Sequence, residues 1–225
     1  MGSRTQAAQW VRQGRVRVNG QPVHDAEQPV HQGIDRIDID GRECARAARR
    51  VLMLNKPRGL VTTRADEQGR ATVYSCFAGA ALPWIAPVGR LDKASEGLLL
   101  FSNDPEWAAH ISDAGHGAHG KLPRTYHVQI NQLASAALLG TLEQGVMNNG
   151  ERLCARRARC LRSGQRHAWL EIVLEEGRNR QIRVMLAELQ ISVLRLVRVA
   201  IGPLELGELP KGQWRELTQR EIESL

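Results

Sequence analysis

Apolar and polar positions alternate at the N-terminus in short runs only. Residues Thr5–Gln13 set Ala7, Ala8 and Val11 on one side of a short helix, with Ser3 near the N-cap and Gly14 as its stop. Arg15–Val18 alternates as a strand, and Asn19-Gly20 is a tight-hairpin dipeptide. Ile34, Ile37 and Ile39, set between acids, read as a second alternation that closes at Asp40-Gly41. One helix and a few short strands bury little surface alone. The polar, basic stretch Arg42–Arg50 reads as a linker.

Longer apolar runs follow. Val51–Leu54 with Asn55-Lys56-Pro57 predicts a buried strand stopped by proline, and Gly97–Ser102 predicts another. Thr62–Gly69 is a polar loop. Asp104 caps a helix that has Pro105 in its first position and runs through His110. His116–Pro123 is a loop rich in glycine and histidine. Thr125–Ile130 alternates as a strand, and Leu133–Gln144 reads as a helix with Leu138, Leu139 and Leu142 inward. Strands are predicted around Cys154–Leu161 and Ala168–Leu174, and a turn at Glu175–Asn179. Arg180–Leu189 is then a helix carrying Ile182, Leu186 and Leu189 on one face, and Val193–Ile201 and Trp214–Leu217 are strand-rich. Strands and helices alternate without a regular βαβ rhythm, which predicts an α+β fold with a mixed, largely antiparallel sheet and flanking helices.

Composition narrows the partners. The chain has 225 residues, enough for one large or two unequal domains, and 42% of them are hydrophobic, which supports a packed core. Aromatic residues make up only 4%, so that core is expected to rest on Leu, Val, Ile and Ala. Lys and Arg total 31 against 24 acids, for a net charge of +7, and most of the basic residues are arginine. A guanidinium fork matches phosphate oxygens and stacks on bases, so nucleic acid is the first partner to consider and an acidic membrane surface the second. Cys44, Cys76, Cys154 and Cys160 form no C-x-x-C pair and have no histidine at zinc-finger spacing, so no metal is expected. No apolar stretch reaches transmembrane length and no signal-peptide core is visible, which predicts a cytoplasmic protein with reduced thiols and no membrane partner.

Several motifs carry chemistry. The N-terminal helix followed by Gln13-Gly14-Arg15-Val16-Arg17-Val18-Asn19-Gly20 resembles the S4 RNA-binding domain. That resemblance implies residues 1–42 as a small S4-like α/β unit in which Arg4, Arg12, Arg15 and Arg17 contact phosphates; a solvated basic face is the plainer alternative. The family's unit opens with a further helix, and this chain starts almost at the second one, so the expectation is a unit without its first helix.

The run Pro87–Phe101 centres on Gly89-Arg90-Leu91-Asp92. Asp92 follows a glycine-led segment and leads into an apolar strand, with Arg90 and Lys93 placed to hold it ionised. Alone, it would read as a loop aspartate in a structural ion pair. The whole run, however, resembles the signature of the pseudouridine synthases. More narrowly, it is similar to the ribosomal small-subunit pseudouridine synthase A family, which includes large-subunit enzymes. Asn55–Leu60, Arg124–Val128, Glu176–Arg183, and Leu196–Val199 with Gly212–Leu217 resemble further family segments in the family's order, so the likeness covers nearly everything from Leu52 onward.

The resemblance implies a pseudouridine synthase fold over residues 50–225 and isomerisation of uridine to pseudouridine in ribosomal RNA, with the chain endings pointing to 23S over 16S. The reaction breaks C1′–N1, turns the base and joins C1′ to C5, with no net oxidation, so no cofactor is expected. Asp92 falls on the family's catalytic aspartate, which either attacks C1′ or takes a sugar proton; the sequence leaves both routes open. Arg183 matches the arginine that pairs with it, Tyr126 the tyrosine that stacks on the uracil, and Ile182 the apolar floor, with Arg90 and Arg180 as further substrate contacts. Alone, Tyr126 and Ile182 would read as ordinary packing. Arg58, Arg64, Arg70, Lys121 and Arg124 are candidates for phosphate contacts that offset base flipping. His116 and His119, flanked by glycines, read as part of an RNA-contacting loop rather than as metal ligands. The alternatives are a non-catalytic RNA-binding or ribosome-assembly protein, or a family member acting on transfer or messenger RNA. The expected assembly state is a monomer.

Overall fold

A computed structural model describes residues 4–31, 33–44, 48–112 and 122–225. Ser3, His116, His119 and Lys121 lie outside the described residues. The chain divides into two compact units, Met1–Arg49 with Ala81–Ile85, and Arg50–Ala80 with Ala86–Leu225.

The first unit holds α1 (Arg4–Arg12) and a four-stranded sheet of β1 (Val16–Val18), β2 (Gln21–Pro22), β3 (Ile37–Ile39) and β4 (Arg42–Glu43) in the order β2-β1-β3-β4. Asn19 and Gly20 both take positive φ (53° and 82°), the backbone a two-residue hairpin requires, so this turn forms where the sequence predicts it. Two expectations change here. Arg42–Glu43 is a strand paired with β3 rather than linker, because its edge completes the ladder. Ile34 is 81% exposed and outside any strand, so the second alternation begins only at Ile37.

The second unit is built on one nine-stranded sheet. In chain order its parts are β5 (Val51–Lys56), a 3-10 turn (Val73–Phe77), β6 (Ala86–Val88), β7 (Glu96–Ser102), α2 (Pro105–Ser112), β8 (Arg124–Ile130) and α3 (Ala136–Gln144). A small hairpin of β9 (Val146–Asn148) and β10 (Glu151–Leu153) comes next, followed by β11 (Arg157–Ser163), β12 (Ala168–Leu174), α4 (Gln181–Glu188), β13 (Val193–Ile201), β14 (Leu204–Glu205), β15 (Trp214–Glu216) and α5 (Gln219–Glu223). The main path runs β11-β12-β8-β13-β7-β5-β15, with β14 on β13 and β6 on β7. β13 and β7 pair in parallel, while the other strand pairs of this sheet among the described residues are antiparallel. The fold is therefore the mixed, largely antiparallel α+β arrangement expected.

Every residue of β5 and β7 is buried, as continuous apolar runs in central strands demand. On one side of the sheet, Val128, Ile130, Leu170, Ile172 and Leu196 pack against Leu138 and Leu142 of α3 and Ile182, Met185 and Leu186 of α4. A second apolar cluster joins Val51, Met53, Leu98 and Leu100 to Ile111 of α2. The core is less purely aliphatic than composition suggests. Phe77 and Phe101 meet edge-on at 4.8 Å, Tyr74 touches Phe101 at 5.9 Å, and Trp214 lies 5.6 Å from Phe77.

Three boundaries differ from the periodicity. α3 starts at Ala136 because Ser135 accepts a cap bond from the Leu138 N–H, which leaves Leu133 outside the helix and half exposed. The strand expected from Cys154 starts at Arg157, since the preceding residues close the β9–β10 hairpin. α4 starts at Gln181, and Arg180 stands just outside it in a left-handed conformation. By contrast, Asp104 caps α2 as expected, accepting from the N–H groups of Glu106 and Trp107 at 3.1 Å each.

The parallel contact of β7 with β13 depends on one glycine. Gly97 lies opposite Arg198 with φ +102°, and a Cβ there would fall 2.2 Å from the Arg198 carbonyl oxygen. Only a residue without a side chain lets these strands close.

Candidate active site

Asp92 sits in the loop Gly89–Ser95 between β6 and β7. The start of that loop is left-handed at Gly89, with φ +73°. Its backbone is pinned from several sides. Thr62 Oγ1 donates to the Leu91 carbonyl at 2.7 Å, and the Gly59 N–H donates to the Lys93 carbonyl at 2.7 Å. The Ser95 N–H closes a turn on the Asp92 carbonyl at 3.0 Å. Lys56, at the end of β5 and fully buried, donates from Nζ to the carbonyls of Asp92 (3.1 Å), Ser95 (2.8 Å) and Pro57 (3.2 Å). Burial pushes the Lys56 ammonium down to about 8, and the charges of Asp92 and Glu96 hold it from falling further. Asn55 in turn donates from Nδ2 to the Leu209 carbonyl at 2.7 Å, which fixes the strand beneath.

The Asp92 carboxylate therefore projects from a rigid loop, 40% exposed, into a cleft of about 700 Å³. Arg90, Arg124, Tyr126, Arg180, Ile182 and Arg198 all line that cleft. Residues that the sequence motifs single out thus converge from β8, the start of α4 and the β6–β7 loop, and β13 adds Arg198.

Their individual placements refine the expected roles. Arg180 Nε lies 3.9 Å from Asp92 Oδ2. Its backbone is left-handed, φ 53° and ψ 26°, a conformation that costs a non-glycine residue about 1–3 kcal/mol and tends to persist where function requires it. Arg183, expected to pair with Asp92, faces the same charge but donates from Nη2 to the Ala94 carbonyl at 3.2 Å. Burial lowers its pKa, an effect that Asp92 opposes and that Arg180 and Arg58 reinforce. One arginine thus approaches the carboxylate and the other holds the loop behind it.

Tyr126 is half-buried on β8, opposite Ile172 on one side and Arg198 on the other. Its side chain packs at the margin of the α3–α4 core, and the residue also lines the cleft. Ile182 is buried in that core and reaches the cleft as well, so it serves packing and the cleft together. Arg124 is the first residue of β8 and lines the cleft rather than a peripheral loop; burial lowers its pKa, with Arg198 adding to the effect. Arg58 and Arg90 are exposed.

Lys56, Thr62 and Arg198 are site residues that the motif reading does not single out. Arg198 is 4% exposed, donates from Nε to the Leu98 carbonyl at 2.8 Å, and has an Nη2 without a hydrogen-bond partner among the described residues. The signal for Lys56 was present in the sequence as a lysine just after the apolar run Val51–Leu54, a residue type that is seldom buried without a specific partner. Among the described residues, no group of three or more His, Cys, Asp or Glu could hold a metal.

In the first unit, Arg4, Arg12, Arg15 and Arg17 are all exposed. Arg15 is engaged within the unit: its Nε donates to both Asp40 carboxylate oxygens at 3.1 Å, and its guanidinium lies 5.6 Å from the Trp10 ring. Arg4 reaches Glu27 at 3.5 Å from a fully open position.

Comparison with known proteins bears on this geometry. A family model described as RNA pseudouridylate synthase matches residues 50–188, and one described as S4 domain matches residues 1–34. A relative from Bacillus subtilis (strain 168), ribosomal large subunit pseudouridine synthase B, is 30% identical over 227 residues, covering all of this chain and 91% of the relative. The protein of the same description from Pseudomonas aeruginosa is 35% identical over 232 residues, and there the chain spans 58% of the relative's length. A solved structure described as a pseudouridylate synthase covers 99% of this chain and 93% of its own, at 30% identity and a TM-score of 0.67. The match extends through the loop that carries Asp92 and the helix that carries Arg183, and on it the chain belongs to the RNA pseudouridylate synthase family.

Proposed function

We propose that the chain isomerises uridine to pseudouridine in large-subunit ribosomal RNA, with Asp92 as the catalytic carboxylate. The observation that carries this reading is the placement of Asp92: Lys56 holds its carbonyl, Thr62 holds that of the preceding Leu91, and its carboxylate faces a cleft shared with Tyr126 and Arg180. Asp92 either attacks C1′ or removes a sugar proton. The C1′–N1 bond breaks, the base turns within the cleft, C1′ bonds to C5, and the proton displaced from C5 is balanced by one gained at nitrogen. Tyr126 holds the freed uracil by stacking. Arg180 stays near the carboxylate, and Arg183 holds the loop in place. Ile182 forms an apolar edge of the base site.

The partner assignment draws on the large-subunit descriptions carried by the relatives and on the S4 match. Within this reading, residues 1–42 form the S4-like unit and residues 50–225 the catalytic domain. Arg4, Arg12, Arg17, Arg58, Lys121 and Arg124 contact phosphates, with Arg15 reaching RNA only if it leaves Asp40. The setting is the cytoplasm, and the working species is a monomer. Incubation with unmodified large-subunit ribosomal RNA, followed by carbodiimide adduct mapping, tests the assignment. The expected result is pseudouridine at a defined site. RNA binding with no modified uridine in any ribosomal or transfer RNA would instead assign a non-catalytic role.

A further inference from the structure

The sheet of the second unit has a face turned away from the cleft. Leu170 and Ile172 of β12 enter the α3–α4 core, so the alternating residues Trp169 and Glu171 point the other way. Strand register aligns them with partners on both sides. One row across four strands is Arg162, Trp169, Gln129 and Arg195. The next is Arg159, Glu171, His127 and Val197.

Cations outnumber anions on this face. Glu171 accepts from Arg157 at 2.9 Å and from Arg159 at 2.7 and 2.9 Å. Glu96 accepts from Arg195 at 3.1 Å through both oxygens and also from Lys211. Both carboxylates are thus shared between two cations each. Arg162 has no carboxylate within ion-pair distance among the described residues; its guanidinium lies 5.3 Å from the Trp169 ring, and that of Arg195 lies 5.5 Å from the same ring. Arg166 is exposed beside them and lines the same shallow depression with Gln129 and Trp169.

A charged edge strand also guards a sheet against pairing with other chains, which accounts for some arginine on β11. It does not account for an indole with two guanidinium groups over its ring inside the excess charge. A protein partner would meet a core depleted of charge, which this face lacks. Phosphates fit it better, because arginine bonds phosphate oxygens and the Trp169 ring beneath holds two guanidinium groups in place.

We infer that this face, centred on Arg162 and Trp169, is a second RNA-binding surface. It engages the phosphate backbone of a substrate segment remote from the target uridine. The identity of the occupant rests on the reading of the substrate as RNA.

The test uses the full chain, a domain-length fragment of large-subunit ribosomal RNA and a salt series. Arg162→Glu combined with Arg166→Glu changes two exposed side chains, and thermal melting checks that the variant folds. The proposal expects a Kd about tenfold weaker, with the slope of log affinity against log salt flatter by roughly 1.4 to 1.8. Parental Kd and slope would overturn it and leave the face to an acidic protein partner. Pseudouridine yield from the parent protein reads the catalytic assignment separately. A shifted Kd without any pseudouridine would sink that assignment and keep this surface, whereas pseudouridine formation with an unshifted Kd would do the reverse.

Discussion

The ammonium of Lys56 lies directly beneath the backbone of Asp92, donating to its carbonyl at 3.1 Å and to that of Ser95 at 2.8 Å. A residue from the end of one central strand thereby fixes the loop that leads into the next. Lys56→Met removes three bonds donated to main-chain carbonyls. Displacing a reacting group by an ångström can cost about 100-fold in rate, so kcat should fall by roughly that factor while KM moves little. Single-turnover kinetics on ribosomal RNA separates the two constants.

Titration of Lys56 gives a pH test with two opposite signs. A neutral amine has two donors for three carbonyls, so activity should decline as pH rises through about 8. Stability should respond the other way. An unfolded lysine keeps its proton to about 10.5, so between 8 and 10.5 the unfolded chain binds more protons and the folded state gains as pH rises. The burden of the buried charge is fully present below 8 and relieved above 10.5. Across this range the melting temperature of the parent should rise relative to that of Lys56→Met as pH climbs. Parallel curves would contradict the assignment.

Tyr126 lines the cleft, and base–aromatic stacking is worth about 1–3 kcal/mol. Tyr126→Ala should therefore lower kcat/KM by roughly 5- to 150-fold. Tyr126→Phe keeps the ring and should stay within a few-fold of the parent. Equal losses in both variants would mean that the hydroxyl, and not the ring, acts on the substrate.

Gly97 offers a purely structural test. Gly97→Ala places a methyl group against the Arg198 carbonyl and forces a strained backbone, so stability should drop by at least about 2 kcal/mol. Calorimetry should show a melting transition several degrees lower, and the cleft-lining Arg198 makes a loss of activity expected as well.

These residues also show how far the sequence could be read. The strands around Leu52–Leu54 and Leu98–Phe101 were legible because unbroken apolar runs bounded by proline or glycine leave few alternatives. Asp92 was legible through its motif, and the cleft does gather Tyr126, Ile182 and Arg180 around it. The division of labour between Arg180 and Arg183 was not. Spacing along a helix places both near one face, and only the left-handed backbone of Arg180 carries its guanidinium toward the carboxylate. Leu133 misled because its apolar spacing continues a helix that Ser135 caps two residues later. Arg42–Glu43 misled because a two-residue edge strand is fixed by its partner and carries no pattern of its own. The rows of Arg162 with Trp169 and Arg159 with Glu171 depend on register between strands, which one sequence does not display.

Asp92→Asn isolates the role of the Asp92 carboxylate. The substitution keeps the side-chain shape and the backbone bonds from Lys56, so the variant should fold, melt near the parent and still bind large-subunit ribosomal RNA. Carbodiimide mapping of RNA treated with each protein should show pseudouridine for the parent and none for Asp92→Asn. Full conversion by the folded variant would contradict the account.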